Sequence, residues 1–137
     1  MKKQILKLVA ICIVIFIISF IIINRKYKIT DIYPKFPSDI SQLSIHYSDG
    51  VIITITDIET INKFTDCILE QDLKRYYFYD LRNEVRVGVG YGIDFYDGNN
   101  NNISISFKEP EVLSINGKLY SISNTDLYEL MDSAYKK

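Results

Sequence analysis

Few side chains in this sequence have the types and spacing that catalysis requires. His46 is the only histidine, which excludes a metal site with two histidine ligands. Cys67 would need a base beside it to act as a nucleophile, and His46 is the only histidine that could serve. We interpret His46 as a surface or half-buried residue of a strand and Cys67 as a small buried hydrophobe. We therefore assign no catalytic residue, no metal ligand and no cofactor.

An acidic and amide-rich stretch resembles a calcium loop without matching its spacing. Asp94 and Asp97 precede four consecutive asparagines at 99–102. A calcium loop has glycine at its sixth position and an acidic ligand at its first. If Gly98 is the sixth residue, the first is Ile93, which cannot bind the ion. We predict a polar hairpin loop instead.

Two sets of residues are candidates for binding a ligand or partner. Glycines alternate along one side of residues 84–96, so a peptide or sheet edge could approach the backbone there. An aromatic block at 76–79 has four rings in a row, which cannot all face one core, and exposed aromatic rings favour contacts. Packing within the sheet is the alternative for both sets. The candidate binding residues are Tyr76, Tyr77, Tyr79, Gly88, Gly90 and Gly92.

Residues 5–23 form an apolar run interrupted only by Lys7 and Ser19. As a helix these residues would span about 28 Å, close to the hydrocarbon thickness of a bilayer. We predict a lipid bilayer as their partner. No small residues mark a cleavage site after the run, and Ile11 before Cys12 does not fit a lipidation site. The pattern favours an uncleaved signal anchor.

The charges of the two parts of the chain have opposite sign. Residues 1–39 contain seven Lys/Arg and two Asp, a net +5, whereas residues 40–137 contain nine Lys/Arg and fifteen Asp/Glu, a net −6. An acidic domain lacks the clustered cations that phosphate contacts need, so nucleic acid is not an expected partner. Basic residues flank the apolar run on both sides, but a short basic N-terminus favours a C-terminal domain outside the cytoplasm.

The pattern of apolar residues predicts the elements of that domain. Strands are predicted at 42–48 and 51–56 around Asp49-Gly50, and the second is apolar on both faces, which indicates a central strand. A helix at 57–72 begins at a capping box formed by Thr56 and Glu59. Further strands are predicted at 84–96, 103–107, 112–115 and 118–122. Asn116-Gly117 joins the last two, placing Leu113 opposite Tyr120.

A final helix follows Ser123 and carries the apolar stripe Leu127, Leu130, Met131 and Ala134. The element order is ββα, then four or five strands, since 84–96 is either one long strand or two short ones meeting at a glycine bend, then α. This order predicts an α+β fold with a transmembrane helix before one antiparallel sheet of about six or seven strands, and with two helices packed on one face of the sheet. We divide the chain into a signal anchor at 1–26, a connector at 27–39 and an extracytoplasmic domain at 40–137.

The layout resembles small membrane-anchored or lipoprotein-like domains of unknown function from Firmicutes. The shared features are the Lys-initiated apolar N-terminus, the sequence ITDIETINKF at Ile55–Phe64, and INGKLYSIS at Ile115–Ser123 before a terminal helix. The acidic, aromatic signature that some of those families carry late in the domain is absent from this sequence. The resemblance implies a location and a fold class, and it implies no chemistry.

Three functions follow as hypotheses. The first is a non-enzymatic binding or interaction module held at the outer face of the cell membrane, with another envelope protein as a partner. The second is an inhibitory or sensory accessory subunit that acts on another membrane protein through the transmembrane helix. The third is a small envelope enzyme, in which a single change at His46, Asp94 or Asp97 would abolish activity.

Overall fold

The computed structural model describes residues 2–36, 39–77, 90–99 and 101–136. Within these ranges the chain forms an apolar helix followed by one sheet and three further helices. The helices are α1 Lys2–Asn24, α2 Ile29–Ile32, α3 Ile58–Glu70 and α4 Asp126–Tyr135. The strands are β1 Lys26–Tyr27, β2 Ile40–His46, β3 Ile52–Ile55, β4 Leu73–Arg75, β5 Gly92–Asp97, β6 Asn102–Glu109, β7 Val112–Ile115 and β8 Lys118–Ser121.

The described strands form one antiparallel sheet in the order β1-β4-β8-β7-β6-β5-β2-β3. The predicted α+β class is confirmed. The predicted count of about six or seven strands was wrong, because the described residues form eight. Strands β1 and β4 are the two that the sequence pattern did not predict. With two and three residues they are too short to show an alternating pattern, and they pair with each other.

The register of the strands separates the sheet into an apolar and a polar face. Ile45, Ile93, Ile105 and Ile115 are cross-strand neighbours on one face, and all four are almost completely buried. The alternating residues lie on the opposite face. Because side chains alternate along a strand, this polarity follows directly from the sequence pattern.

Helices α3 and α4 cover the apolar face. Ile61, Phe64 and Ile68 of α3 and Leu127 and Met131 of α4 belong to the same buried cluster as the sheet isoleucines. The predicted stripe of α4 is confirmed, since its other two members, Leu130 and Ala134, also pack against this cluster. The hairpin at Asn116-Gly117 is confirmed as well, with Leu113 paired to Tyr120.

Strand β3 lies at the edge of the sheet, so its predicted central position was wrong. Ile53 and Ile55 are half-buried and pack against the core. Ile52 points to the other face and is 58% exposed. The strand is apolar on both faces because Ile52 is exposed to solvent on the outer face. Only the face with Ile53 and Ile55 packs against the core.

The first residue of α3 also differs from the prediction. Asp57 is the N-cap, and its carboxylate accepts hydrogen bonds from the backbone N–H (2.9 Å) and the hydroxyl (2.7 Å) of Thr60. The predicted capping box of Thr56 and Glu59 was therefore wrong: the N-cap lies one residue later, and the side chain of Thr60 bonds the Asp57 carboxylate. These two hydrogen bonds lower the pKa of Asp57, because they stabilise its charged form.

Residues assigned to the connector contribute to the sheet and the core. Strand β1 pairs with β4, and Ile29 of α2 is fully buried. Phe36 is 4% exposed and packs edge-to-face on Phe95 at a ring-centroid distance of 5.2 Å. The polypeptide therefore joins the folded domain within two residues of the end of α1.

Helix α1 is long and apolar enough to cross a membrane, and none of its residues is buried. A signal sequence near an N-terminus has the same length and composition. The length and composition of α1 are therefore sufficient to span a bilayer.

Candidate functional site

The polar face of the sheet has a concave centre, which we call the polar groove. It is formed on β5, β6 and β7, with β2 alongside, and the register aligns two rows of small or polar residues across these four strands. The cavity has a volume of about 430 Å³. The polar groove is lined by Tyr33, Gly92, Asp94, Asn102, Ser104, Ile105, Ser106, Ser114, Asn116 and Gly117.

One row contains His46, Gly92, Ser106 and Ser114 as successive cross-strand neighbours. Gly92 places a bare backbone between the imidazole and the serine hydroxyls. A Cβ built at Gly92 would make ordinary contacts of 3.7 Å with the carbonyl oxygen of Ile105 and 3.9 Å with the Cβ of His46. Space therefore exists for a small side chain, and the absence of one deepens the groove.

The adjacent row contains Ser44, Asp94 and Ser104. The Asp94 carboxylate lies 2.8 Å from Nε2 of His46 and accepts a hydrogen bond from the hydroxyl of Ser104. The side chain of Asp94 is 18% exposed and that of His46 is 40% exposed. The carboxylate is therefore oriented by two partners while the imidazole remains accessible.

This arrangement differs from that of a catalytic triad. In a triad the histidine accepts the proton of the serine, and the carboxylate orients the histidine. Here Asp94 lies between Ser104 and His46, so the serine proton points to the carboxylate. In the described residues Ser104 therefore bonds the carboxylate and not the imidazole, so the three side chains are not connected as in a triad.

Tyr33 and Asn116 close one end of the polar groove. The hydroxyl of Tyr33 donates a hydrogen bond to Oδ1 of Asn116 at 2.7 Å. Burial raises the pKa of Tyr33, and the hydrogen bond to Asn116 opposes that rise. Asn116 has a positive φ of 51° at the β7–β8 turn, so the turn that fixes the register also positions this amide.

One of the predicted binding residues lies in the polar groove. Of the predicted glycines, Gly92 lies in the groove, Gly90 is exposed just before β5, and Gly88 lies outside the described residues. Tyr76 and Tyr77 are exposed at the end of β4, at the other side of the sheet, and Tyr79 lies outside the described residues. The structure therefore does not bring the two predicted sets together within the described ranges.

Sequence reasoning did not single out Tyr33, Asn116, Ser106 or Ser114 as site residues. The alternation of serines along β6 was a usable signal, because it shows that a small polar residue recurs on one face. Tyr33 gave no signal, since its contact with Asn116 joins residues 83 positions apart.

The other residues with possible chemistry have structural surroundings. Asp97 accepts hydrogen bonds from the backbone N–H groups of Asn99 and Asn101, as expected for a hairpin loop, and its pKa is lowered by hydrogen bonding to Asn101. Cys67 is half-buried in α3, and burial raises the pKa of its thiol to about 11. Within the described ranges no three His, Cys, Asp or Glu side chains are grouped to hold a metal ion.

No protein-family model matches the chain, and no curated protein or solved structure matches it either. The geometry of the polar groove and of its surroundings therefore carries the functional argument.

Proposed function

We propose that this protein is a non-enzymatic binding module, anchored in the cell membrane by α1, that binds a ligand in the polar groove on the extracytoplasmic side. The supporting observation is the groove itself, a cavity of about 430 Å³ on the polar face of the sheet. That volume lies within the usual range of small-ligand sites.

The lining of the groove indicates the chemistry of the ligand. Serine hydroxyls and asparagine amides both donate and accept hydrogen bonds, and among the described lining residues only Asp94 is charged. A ligand rich in hydroxyl or amide groups and of low net charge fits these groups. The exposed imidazole of His46 beside Asp94 adds a further partner.

Two serine substitutions test this proposal with a matched control. Ser114→Tyr fills the groove from its floor, whereas Ser48→Tyr places the same ring on the exposed turn between β2 and β3. We expect affinity capture of the full-length protein from cross-linked cells to lose its specific adducts with Ser114→Tyr and to retain them with Ser48→Tyr. Thermal unfolding of both variants checks that the fold is intact. Identical adducts from both folded variants would exclude the groove as the binding surface.

The accessory-subunit hypothesis has a separate observation in its favour. The end of α1 is tied to the sheet, because Nζ of Lys74 donates to Oδ1 of Asn24 at 2.9 Å. Asp72 also forms ion pairs with Lys26 at 3.1 Å and Lys28 at 2.9 Å. A movement of the domain would therefore be transmitted to α1.

An anchor replacement separates the two hypotheses. Exchange of residues 1–24 for an unrelated transmembrane helix should leave ligand binding in the groove unchanged and should abolish the effect of an accessory subunit. A C-terminal tag that resists protease in intact cells would contradict the extracytoplasmic position of the domain.

A further inference from the structure

The end of β4 lies beside the end of α1. Strands β1 and β4 are antiparallel, with Lys26 opposite Lys74, and α1 ends at Asn24, two residues before Lys26. Residues that follow Lys74 therefore run back toward α1. Tyr76 and Tyr77 follow Lys74 by two and three residues, about 10 Å of extended chain. They therefore lie near the C-terminal end of α1.

Both tyrosines are exposed but held in position. Tyr76 is 41% exposed and Tyr77 is 36% exposed. The backbone N–H of Tyr76 donates to the carbonyl of Leu119 at 2.9 Å. The guanidinium of Arg75 lies 5.6 Å from the ring centroid of Tyr77 and 5.5 Å from that of Tyr120. The sheet thus presents two aromatic rings next to a cation.

The described residues around these tyrosines are mainly basic, although the domain as a whole is acidic. Arg25, Lys26, Lys28 and Lys74 are close in the structure through the β1–β4 pairing. Asp72 is shared by Lys26 and Lys28. Arg25 and Lys74 add positive charge that complements an anionic surface, and they are placed where α1 would leave the membrane.

We infer that Tyr76 and Tyr77, with Arg25 and Lys74 beside them, form a second membrane contact that inserts into the headgroup layer of a bilayer containing anionic lipids. The inference rests on the proposed membrane anchoring by α1. Tyrosine is enriched at membrane–water interfaces because its ring is apolar and its hydroxyl is polar. Basic residues near the membrane surface are attracted to anionic lipids. The contact fixes the tilt of the sheet and therefore the direction in which the polar groove opens.

The chain contains no tryptophan, so single tryptophan substitutions report on one position each. Tyr76→Trp probes the proposed contact, Phe16→Trp probes the middle of α1, and Tyr135→Trp is a control. Tyr135 is 47% exposed and bonds to Asp49 beside β2. Strand β2 is five strands from β4, the strand that Tyr76 follows, about 24 Å at the usual strand spacing.

Each full-length variant is reconstituted in vesicles of phosphatidylcholine with or without phosphatidylglycerol, and quenching by brominated lipids is measured. We expect Phe16→Trp to be quenched in both vesicles. We expect Tyr76→Trp to be quenched, with a blue-shifted emission, most strongly with phosphatidylglycerol, and Tyr135→Trp to remain unquenched. Adding Lys74→Gln to Tyr76→Trp should weaken its quenching, whereas adding Lys136→Gln, at the end of α4, should not.

The outcomes distinguish this contact from the anchor. If Phe16→Trp is quenched while Tyr76→Trp behaves like Tyr135→Trp, the inference is overturned and the anchor stands. If Tyr76→Trp is shielded from acrylamide but is not quenched by brominated lipids, the tyrosines contact protein and the lipid assignment is wrong. Absence of quenching in Phe16→Trp would refute the anchor, and the inference with it.

Discussion

Removal of the buried hydroxyl of Tyr47 should lower the stability of the protein at neutral pH and raise it at strongly alkaline pH. Tyr47 is 5% exposed, and its hydroxyl donates a hydrogen bond of 2.6 Å to the carbonyl of Met131 in α4. Its ring contacts those of Tyr91 and Tyr135. Tyr47→Phe keeps the ring and removes one hydrogen bond, so it should lower the free energy of unfolding by about 1 kcal/mol at neutral pH.

Alkaline pH should reverse this difference. Burial, assisted by the charges of nearby tyrosines and Asp132, raises the pKa of Tyr47 from 10.0 to about 12. The unfolded chain therefore releases this proton near pH 10, whereas the folded chain retains it until about pH 12. The stability from the neutral hydroxyl is complete below pH 10 and is lost as the pH rises to 12. Two pKa units correspond to at most about 2.7 kcal/mol.

The wild-type protein should accordingly be the more stable of the two at neutral pH and the less stable above roughly pH 11, where the alkaline loss exceeds the hydrogen-bond gain. Urea unfolding of both full-length proteins in uncharged detergent micelles, followed by circular dichroism from neutral pH to pH 12, measures the crossing.

Phe95→Leu is the control for this crossing. Phe95 is 1% exposed and has no ionisable group, so the deficit of this variant relative to wild type should not change with pH. A deficit of Tyr47→Phe that also stays constant up to pH 12 would refute the reasoning, because it would show that the folded and unfolded chains ionise Tyr47 alike.

Three further predictions concern the core, a turn and a thiol. Leu113→Ala should lower the free energy of unfolding by about 2–5 kcal/mol, because Leu113 is fully buried; its urea midpoint measures this. Gly117→Ala should cost about 1–2 kcal/mol in the same assay, since Gly117 has a φ of +70°. In a Cys12→Ser background, Cys67 should react with iodoacetamide far more slowly in the folded protein, because raising its pKa from 9.0 to about 11 leaves roughly 100-fold less thiolate.

Each of these predictions has a matched control. Ile52→Ala, at an exposed position, should cost much less than Leu113→Ala, and equal costs would contradict the described core. Gly98→Ala should be nearly neutral, because a Cβ there would meet nothing within 4 Å and its φ is not positive. Equal alkylation of Cys67 in native protein and in urea would show that the thiol is not protected by α3.

The hairpin at Asn116-Gly117 shows how local features are read from sequence. Both residues adopt positive φ, at 51° and 70°, which asparagine and glycine tolerate best. The two-residue turn fixes the register, so the pairing of Leu113 with Tyr120 follows from the chain itself. The apolar stripe of α4 and the polarity of the sheet faces are predictable for the same reason, because each depends on a short periodic pattern.

The polar groove shows what such patterns leave open. The order of strands places β2 between β3 and β5, which brings His46 and Asp94 together across 48 residues. Any other neighbour for β2 would preserve every local pattern and separate these two side chains. The groove could therefore not be predicted from the sequence, although the sequence pattern placed Gly92 on one face of its strand and the serines of β6 on one face of theirs.

By itself the sequence determined the apolar helix α1, the α+β class, the hairpins at Asp49-Gly50 and Asn116-Gly117, and the apolar faces of α4 and of the sheet, because these depend on hydrophobic length and periodicity over neighbouring residues. Only the tertiary structure decided that β1 pairs with β4, that β3 is an edge strand among the described strands, that Ile29 and Phe36 join the core, and that polar residues of β5, β6 and β7 share one groove. The physical reason is that pairing between distant strands is selected by the packing of the whole sheet, since each strand alone can satisfy its backbone with several neighbours.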